Sequence, residues 1–265
     1  MRSFFVKSFG GLKFMKKDLV SIVVPVYNAE RFLDDTIKTV QDQTYENWEL
    51  ILVNDCSKDK SVEVIKKQMK KDKRIKLFLQ EKNGGAALAR NRGVEEASGR
   101  YLCYLDADDK WANDKLEKQL KFMQEHECEF SFTSYQFADE NAVPNGSIVH
   151  VPEKINYNQA LKNTTIWTST VMFDLTKLDK EDVKMPNVKS EDTACWWKIL
   201  KKIDYAYGLD EILSFYRRTA GTLSSNKFEA IKRIWNLYRN VEHLNIFKSA
   251  YCFCGYAVRA VLRRV

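Results

Sequence analysis

Short apolar runs alternate with amphipathic stretches up to about residue 110 of the chain. Four short, mostly apolar runs predict strands at 19–26, 48–53, 75–79 and 101–105. The first has apolar residues on both faces, as a central strand of a helix-covered parallel sheet does. Between these four runs, apolar positions recur at helical spacing and predict crossover helices at 30–43, 60–71 and around 84–93. This alternation predicts an α/β protein with a mostly parallel, Rossmann-like central sheet flanked by helices.

Polar side chains follow these strands at the point where each strand ends. They are Tyr27 and Asn28, Asn54 and Asp55, and the three carboxylates Asp106, Asp108 and Asp109. Parallel strands bring their carboxyl ends to one edge of the sheet, which is where ligands bind in open α/β folds. Clustered carboxylates repel one another unless a cation neutralises them, and oxygen ligands suit Mg²⁺ or Mn²⁺. The alternative is that the aspartates only form a turn and cap the next helix.

Several other site chemistries have no support in the sequence. No G-x-G-x-x-G follows the first strand and no Walker-type motif occurs, so hydride transfer and P-loop hydrolysis are disfavoured. The six cysteines are scattered, which predicts free thiols in a reducing compartment. The three histidines are isolated from one another, so a histidine-based metal site or catalytic triad is not indicated.

The second half of the chain predicts helices over 111–125 and 193–202 and strands over 129–135 and 168–173. It also carries three tryptophans, Trp167, Trp196 and Trp197. Aromatic faces suit sugar rings, but tryptophan is also a common core residue, and both interpretations stay open for each position.

The formal net charge of +7 is concentrated at the two ends of the chain. Nine of the 43 basic residues precede Asp18 or lie from Lys248 onward, whereas all 36 acidic residues lie between. The body of the chain is therefore not basic, and nucleic acid is not an expected partner.

Both ends interleave basic residues with aromatic and aliphatic ones, as peripheral segments on anionic lipid do; a solvated tail and a surface helix are the alternatives. Neither end has the roughly 18 apolar residues of a spanning helix, and a signal peptide is not indicated. We assign 1–18 to a basic amphipathic N-terminal segment and 226–265 to a helical C-terminal segment, for which a position on a membrane surface is one of these alternatives. Translation from Met15 instead of Met1 is an open alternative.

Four segments, in order, resemble the family 2 inverting glycosyltransferases, which have the GT-A fold. They read VSIVVPVYN, QTYENWELILVNDCSKD, NGGAALARNRGVEEASGRYLCYLDADD and SEDTACWW. The resemblance covers residues 19–225, and it implies a nucleotide-binding half over 19–110 and an acceptor half over 111–225.

The resemblance implies a site for a nucleotide-diphosphate sugar. Pro25, Tyr27 and Asn28 match contacts to the base and ribose, and Asp55 matches the acid that pairs with the ring N–H of uracil. The family usually has Asp-Asp-Gly-Ser at this point, whereas this chain has Asn-Asp-Cys-Ser over 54–57. Arg90 matches a position near the nucleotide and phosphates.

The carboxylates take separate roles in this comparison. Asp106 and Asp108 match the D-x-D motif that holds Mn²⁺ or Mg²⁺, with Asp108 the more direct ligand and Asp106 also near the ribose. Asp109 is expected to cap the following helix. Asp192 matches the base that takes the acceptor proton; without the resemblance, it would only begin a helix. Arg217 and Arg218 resemble diphosphate-neutralising residues, and surface charge is the alternative.

The resemblance therefore implies an inverting, metal-dependent transferase that moves one sugar from a nucleotide-diphosphate donor, for which a uridine-linked sugar is the expectation, to an acceptor hydroxyl. A lipid-linked acceptor or a surface-polysaccharide precursor, and a cytoplasmic location with peripheral contact at the inner face of the membrane, are expected from the basic ends and the family context. The alternatives are a metal-dependent phosphoryl transferase and a nucleotide-sugar binding protein without catalysis. The first is disfavoured because the first strand ends in PVYN and lacks a nucleophilic aspartate.

Overall fold

The computed structural model describes residues 16–218 and 227–262. The strands of this part are β1 Lys16–Val26, β2 Trp48–Asn54, β3 Ile75–Leu79, β4 Gly99–Tyr104, β5 Lys110–Trp111, β6 Phe130–Ala138, β7 Pro144–Val149, β8 Lys154–Ile155, β9 Met172–Asp174 and β10 Ala206–Arg217. The helices are α1 Glu30–Gln41, α2 Ser61–Lys71, α3 Gly85–Glu96, α4 Lys115–Glu125, α5 Tyr157–Ala160, α6 Lys180–Val183, α7 Glu191–Leu200, α8 Lys227–Asn236 and α9 Ile246–Leu262.

The first four strands form the predicted parallel sheet in the order β3-β2-β1-β4. All seven residues of β2 are buried, because helices cover both faces of the sheet and apolar clusters fill both sides. The registers pair Val26 with Asn54 and Val23 with Tyr104, so the ends of β2, β1 and β4 lie side by side. β1 begins at Lys16, three residues before the predicted start.

The second half continues the same sheet with mixed directions. β9 lies antiparallel between β4 and β6, β10 is parallel to β6, and the short β5 pairs antiparallel with β10. The predicted strand over 168–173 is instead a 3₁₀ turn, Thr168–Thr170, followed by β9. The fold class is confirmed as a mixed α/β architecture with helices on both faces.

One predicted helix boundary is wrong, and with it the capping role of Asp109. β5 intervenes after this aspartate, and α4 begins only at Lys115. The Asp109 side chain is fully buried and accepts hydrogen bonds from Ser169 Oγ at 2.6 Å and from the Arg217 backbone N–H at 3.3 Å. Asp109 therefore ties the loop after β4 to the second half of the sheet.

The C-terminal segment is helical, as predicted, and packs against the rest of the protein. Trp197 of α7 stacks on Tyr238, which lies in a π-helical turn over Leu237–Val241, with ring centroids 5.4 Å apart. Tyr238 also donates its hydroxyl hydrogen to the carbonyl of Leu161. The predictions that concern residues 1–15 and 219–226 fall outside the described residues.

Two further predictions can be compared with the described structure. All six cysteines are free thiols, as predicted. In 16–218 and 227–262, no helix has the length and apolar character needed to cross a membrane.

Candidate active site

A cleft of about 950 Å³ opens where β4 ends. Its floor carries charged side chains from the sheet edge and from the start of α7, one side is aromatic, and another side is formed by α8 and α9. The residues that line it include Arg90, Asp106, Asp108, Tyr135, Phe137, Trp167, Thr168, Ser190, Glu191, Asp192, Tyr216, Arg218, Ala230, Arg233, Ile234, Tyr256 and Ala260.

Arg90 joins the sheet edge to α7. It is 6% exposed, and its guanidinium donates from Nη2 to Asp106 Oδ1 at 2.6 Å and from Nη1 to Glu191 Oε1 at 2.9 Å. Burial alone would lower the pKa of Arg90, but the two carboxylates raise it, so the side chain stays cationic. Its Nε has no hydrogen-bond partner in the described part of the chain. Arg90 thus fixes the first aspartate of the Asp106-Ala107-Asp108 segment relative to the start of α7.

Asp108 has a different environment from Asp106. Burial, and then the negative charge of Asp106, raise the pKa of Asp108 to about 6. Its carboxylate lines the cleft without a hydrogen-bonded arginine partner of the kind that Asp106 has, and a cation bound there would relieve the repulsion between the two carboxylates. Within the described ranges, no three His, Cys, Asp or Glu side chains converge as a metal site. Asp106 and Asp108 are the two carboxylates of the sheet edge that line the cleft.

Asp192 opens the first turn of α7 and lines the cleft. Its Oδ2 accepts from Thr168 Oγ1 at 3.3 Å and its Oδ1 from the Thr193 backbone N–H at 2.6 Å. Burial, and then the charge of Glu191, raise its pKa above the usual value for aspartate. Ser190, just before this pair, adopts a left-handed conformation with φ 61°, which is uncommon for a residue other than glycine and is often found at functional sites.

Four aromatic side chains form one side of the cleft. Trp167 lies with its ring centroid 4.3 Å from Tyr216 and 5.2 Å from Tyr135, and Phe137 lies 5.4 Å from Tyr216. Tyr135 and Phe137 are buried against the half-buried Trp167 and Tyr216, and aromatic faces that border a cleft can stack on sugar rings.

The other two tryptophans belong to the core. Trp196 is 2% exposed and packs with Phe130 and Phe173, whereas Trp197 is buried against Tyr238. Both come from α7, so they anchor the helix whose first turn presents Asp192. Of the three candidate acceptor contacts, only Trp167 lines the cleft.

Arg217 and Arg218, predicted together, have different environments. Arg217 is 2% exposed; its guanidinium donates to the carbonyls of Asp108 at 2.7 Å and Glu140 at 2.9 Å and lies over the Phe32 ring. Arg218 lines the cleft with its guanidinium 3.5 Å from the centre of the Phe137 ring. The buried position of Arg217 supports a structural role, and only Arg218 retains the predicted phosphate role.

The predicted nucleotide residues lie along the same sheet edge, beyond the lining of the cleft. Tyr27 is exposed and Pro25 is half-buried at the end of β1. Asn28 has φ 49°, and its side-chain oxygen accepts from the Lys58 N–H at 2.8 Å. Pro25, Tyr27 and Asn28 therefore lie at the end of β1, at the sheet edge beside Asp55, which follows the neighbouring strand β2.

Asp55 is buried and already accepts three hydrogen bonds. Its carboxylate receives one each from Gln80 Nε2 and from the backbone N–H groups of Gly84 and Gly85, all at 2.8 Å. Gly85 has φ 82°, a conformation that glycine adopts without strain. Cys56, which replaces the usual glycine of the family, has φ 60°, so the turn keeps a conformation that favours glycine although a side chain is present.

Sequence reasoning missed several supports of this site. Ser169 Oγ accepts from the Asp106 N–H at 3.1 Å while donating to Asp109, and Thr168 contacts Asp192. Thr168 and Ser169 lie in the segment 168–173 that was predicted to be a strand, and nothing in its pattern indicated that they support the site aspartates. The alternation of Tyr135 and Phe137 along β6 could have indicated one aromatic face, but Arg233 and Tyr256 carried no local signal.

The sequence model for the family described as "Glycosyl transferase family 2" matches residues 21–178. A Bacillus subtilis protein named "Putative teichuronic acid biosynthesis glycosyltransferase TuaG" is 44% identical over 250 residues, which cover 94% of this chain and 98% of that protein. The chain belongs to glycosyl transferase family 2. It is therefore a glycosyltransferase, as the sequence motifs predicted, and the phosphoryl-transferase alternative loses its support.

A second relative in this family is more specifically named. The Escherichia coli protein "UDP-Glc:alpha-D-GlcNAc-diphosphoundecaprenol beta-1,3-glucosyltransferase WfgD" is 40% identical over 220 residues, which cover 83% of this chain and 85% of that protein.

Solved structures of other transferases share the fold. The structure of S. aureus TarS 1-349 in complex with UDP-GlcNAc aligns with a TM-score of 0.69 at 20% identity, covering 91% of this chain and 72% of that one. The mannosyltransferase PcManGT from Pyrobaculum calidifontis, in complex with GDP-Man and Mn²⁺, aligns with a TM-score of 0.66 at 16% identity, covering 92% of this chain and 74% of that one. At these identities the likeness establishes the GT-A fold alone.

Proposed function

We propose that this glycosyltransferase moves one sugar, with inversion, from a UDP-sugar to a hydroxyl of a lipid-linked polysaccharide precursor, and that Asp192 is the base. The observation that carries the proposal is that Asp192 shares one cleft with Asp106 and Asp108, and that Arg90 joins Asp106 to Glu191 beside it. An inverting transfer needs an acceptor hydroxyl to attack from the face opposite the leaving diphosphate, with a base to take its proton.

The residues suit a base at this position. A carboxylate with a raised pKa holds a proton more readily than an ordinary aspartate, which improves a general base near neutral pH. Thr168 and the Thr193 N–H hold the Asp192 carboxylate in place. Trp167 and Tyr216 offer a surface on which the acceptor sugar would stack, with its hydroxyl directed to Asp192.

The donor side suits a divalent cation. Mn²⁺ or Mg²⁺ is commonly held by one or two carboxylates together with substrate phosphates, which matches Asp108, with Asp106 beside it. When bound, such an ion stabilises the charge that develops on the leaving diphosphate. Arg218 would approach the same diphosphate, and Asp55, Tyr27, Asn28 and Pro25 would receive the nucleoside.

Substitution of Asp192 by asparagine tests the proposal. Transfer should fall by about 10²- to 10⁴-fold, the usual contribution of a general base, because asparagine cannot take the proton. Binding of UDP with Mn²⁺, measured by calorimetry with a chelator control, should be unchanged. Full turnover in the variant would remove Asp192 from this role, and a wild-type chain that binds UDP but transfers nothing would favour the non-catalytic binding alternative.

The acceptor part of the proposal is supported by the outward face of α8 and α9. Phe228, Phe247, Tyr251 and Val258 are exposed there, with Phe247 84% exposed. α9 contains no acidic residue and carries Lys248 and Arg259, so the face complements an anionic lipid surface. The relative WfgD is named for an acceptor that is linked to diphosphoundecaprenol.

Vesicle sedimentation tests this membrane contact. The wild-type chain should bind phosphatidylglycerol-containing vesicles more strongly than neutral ones, and the double substitution Phe247→Ser, Tyr251→Ser should weaken binding at least tenfold, since each buried apolar side chain contributes about 1.5–3 kcal/mol. Equal binding by both chains would contradict the assignment, as would a stable dimer that buries this face.

A further inference from the structure

The cleft is lined by different charges on its two sides. The sheet side presents four carboxylates, Asp106, Asp108, Glu191 and Asp192, with Arg90 among them. On the side formed by α8 and α9, Arg233 is the one charged residue among the described residues that line the cleft. Glu229 of α8 does not line it.

Arg233 is placed so that a ligand can reach it. It follows Ala230 by three residues and precedes Ile234, so these side chains form one face of α8 towards the cleft. α9 contributes Tyr256 and Ala260, and the two alanines leave space on this side. The Arg233 Nε donates to the Glu229 carbonyl at 3.3 Å, which directs the guanidinium along its own helix.

The same two helices carry the exposed apolar face on their other side. In α8, Phe228 and Ile231 are exposed while Ala230 and Arg233 line the cleft. In α9, Tyr251 and Val258 are exposed while Tyr256 and Ala260 line it. The same two helices therefore carry both the exposed apolar face and the part of the cleft lining that contains Arg233.

We propose that Arg233 binds the diphosphate of a prenyl-diphosphate-linked acceptor, in a subsite separate from the one for the donor diphosphate. This inference rests on the proposed function, because it assumes that the acceptor sugar lies between Arg233 and Asp192. Arginine is well suited to the task because its planar guanidinium makes paired, charge-assisted hydrogen bonds to phosphate oxygens. In the proposed function, the donor diphosphate is bound instead near Asp108 and Arg218, on the sheet side of the cleft.

The experiment measures binding of geranyl diphosphate, a soluble prenyl diphosphate without a sugar, by calorimetry. UDP and Mn²⁺ are present at saturation so that the donor subsite is occupied. The wild-type chain should bind the probe, and Arg233→Gln should raise its Kd about tenfold or more. Arg233→Lys keeps the charge and should restore part of the affinity, whereas UDP affinity should be equal in all of these chains.

Lys232 provides the matched control on the same helix. Its ammonium pairs with Glu229 at 3.6 Å and lies over the Phe228 ring, outside the lining of the cleft, so Lys232→Gln should bind the probe as the wild type does. Melting temperatures of the variants check that α8 remains folded.

Several outcomes would overturn the inference. The first is that the wild type does not bind geranyl diphosphate, and the second is that Arg233→Gln binds it as tightly as the wild type does. The third is that Arg233→Gln loses as much affinity for UDP as for the probe, which would make Arg233 a donor residue. Binding of dihexanoyl phosphatidylglycerol with the same Arg233 dependence would make the site a general lipid head-group site. Failure of the wild type to bind UDP at all would count against the donor assignments, and probe binding without UDP would then test Arg233 separately.

Discussion

The two sides of the cleft are built in different ways. On the sheet side, Arg90 and the carboxylates are partly or fully buried, and Arg90, Asp106, Glu191 and Asp192 have named partners at 2.6–3.3 Å. On the helical side, the lining is small or apolar apart from Arg233, and the outer face is exposed. Chemistry needs fixed geometry, whereas acceptor choice needs a surface that can differ between relatives.

The family match follows the same division. It covers residues 21–178, which include β1 to β9 with Arg90, Asp106 and Asp108. Asp192 and the helical side lie beyond it, although the relative TuaG aligns over 94% of this chain.

The largest effect is expected from breaking the buried ion pairs of the sheet side. Replacement of Arg90 by methionine leaves Asp106 and Glu191 without their counter-charge and should lower the free energy of unfolding by about 3–5 kcal/mol. Urea unfolding measures this change.

Arg92 is the control for this substitution on the same helix. It pairs with Glu96 at 2.7 Å on the surface, so Arg92→Met should cost less than about 1 kcal/mol. Similar losses from the two substitutions would mean that the Arg90 network does not hold the sheet side together.

The second prediction separates two neighbouring aspartates. Asp108→Ala should reduce transfer by about 10³-fold and abolish the Mn²⁺ dependence of UDP binding, because the cation contributes several kcal/mol to the transition state. Asp109→Ala should instead lower the free energy of unfolding by about 1–3 kcal/mol, because the Ser169 hydroxyl and the Arg217 N–H lose a buried acceptor. Transfer assays with and without chelator, and denaturant unfolding, measure both. The two roles would be reversed if Asp108→Ala lowered the free energy of unfolding and Asp109→Ala abolished the Mn²⁺ dependence of UDP binding.

The sheet side could largely be predicted from the sequence because its signals are local. Runs such as 48–53 are short and mostly apolar, as strands covered on both faces are, and all seven residues of β2 are buried. The polar residues after β1, β2 and β4 then had to meet at one edge. Asp109 could not be placed, because its partners Ser169 and Arg217 are 60 and 108 residues away in the sequence.

The local strand pattern could have excluded the prediction that Arg217 and Arg218 both bind the diphosphate. Successive side chains of an extended strand point to opposite faces, so only one of two neighbouring arginines at the end of β10 could line the cleft. Which one it is depends on the packing of β10 against β6, and the sequence does not contain that register. The separation of Trp167 from Trp196 and Trp197 has the same origin, since it depends on how α7 docks.

The third prediction concerns the aromatic side of the cleft. Trp167→Ala should raise the KM for the acceptor about tenfold, because an aromatic stacking contact contributes about 0.5–1.5 kcal/mol beyond the area that it buries. The affinity for UDP with Mn²⁺ should not change. Steady-state kinetics with the acceptor varied, and calorimetry with UDP, measure the two quantities. A loss of donor affinity instead would place Trp167 on the donor side of the cleft.

The smallest expected effect is a shift in pH dependence caused by Glu191. Burial and the charge of Glu191 raise the pKa of Asp192, and a base must be deprotonated to act, so transfer should increase with pH through that raised pKa. Glu191→Gln removes the neighbouring negative charge; the pKa of Asp192 then falls, and the acidic limb of kcat/KM should move to lower pH. Glu181→Gln makes the same charge change at an exposed side chain of α6 and should leave the limb in place. The acidic limb could instead move to higher pH in Glu191→Gln. The charge of Arg90 lowers the pKa of Asp192, so this result would mean that Arg90 has moved away and that its loss outweighs the loss of the Glu191 charge. Glu191 would then act mainly by holding Arg90 in place.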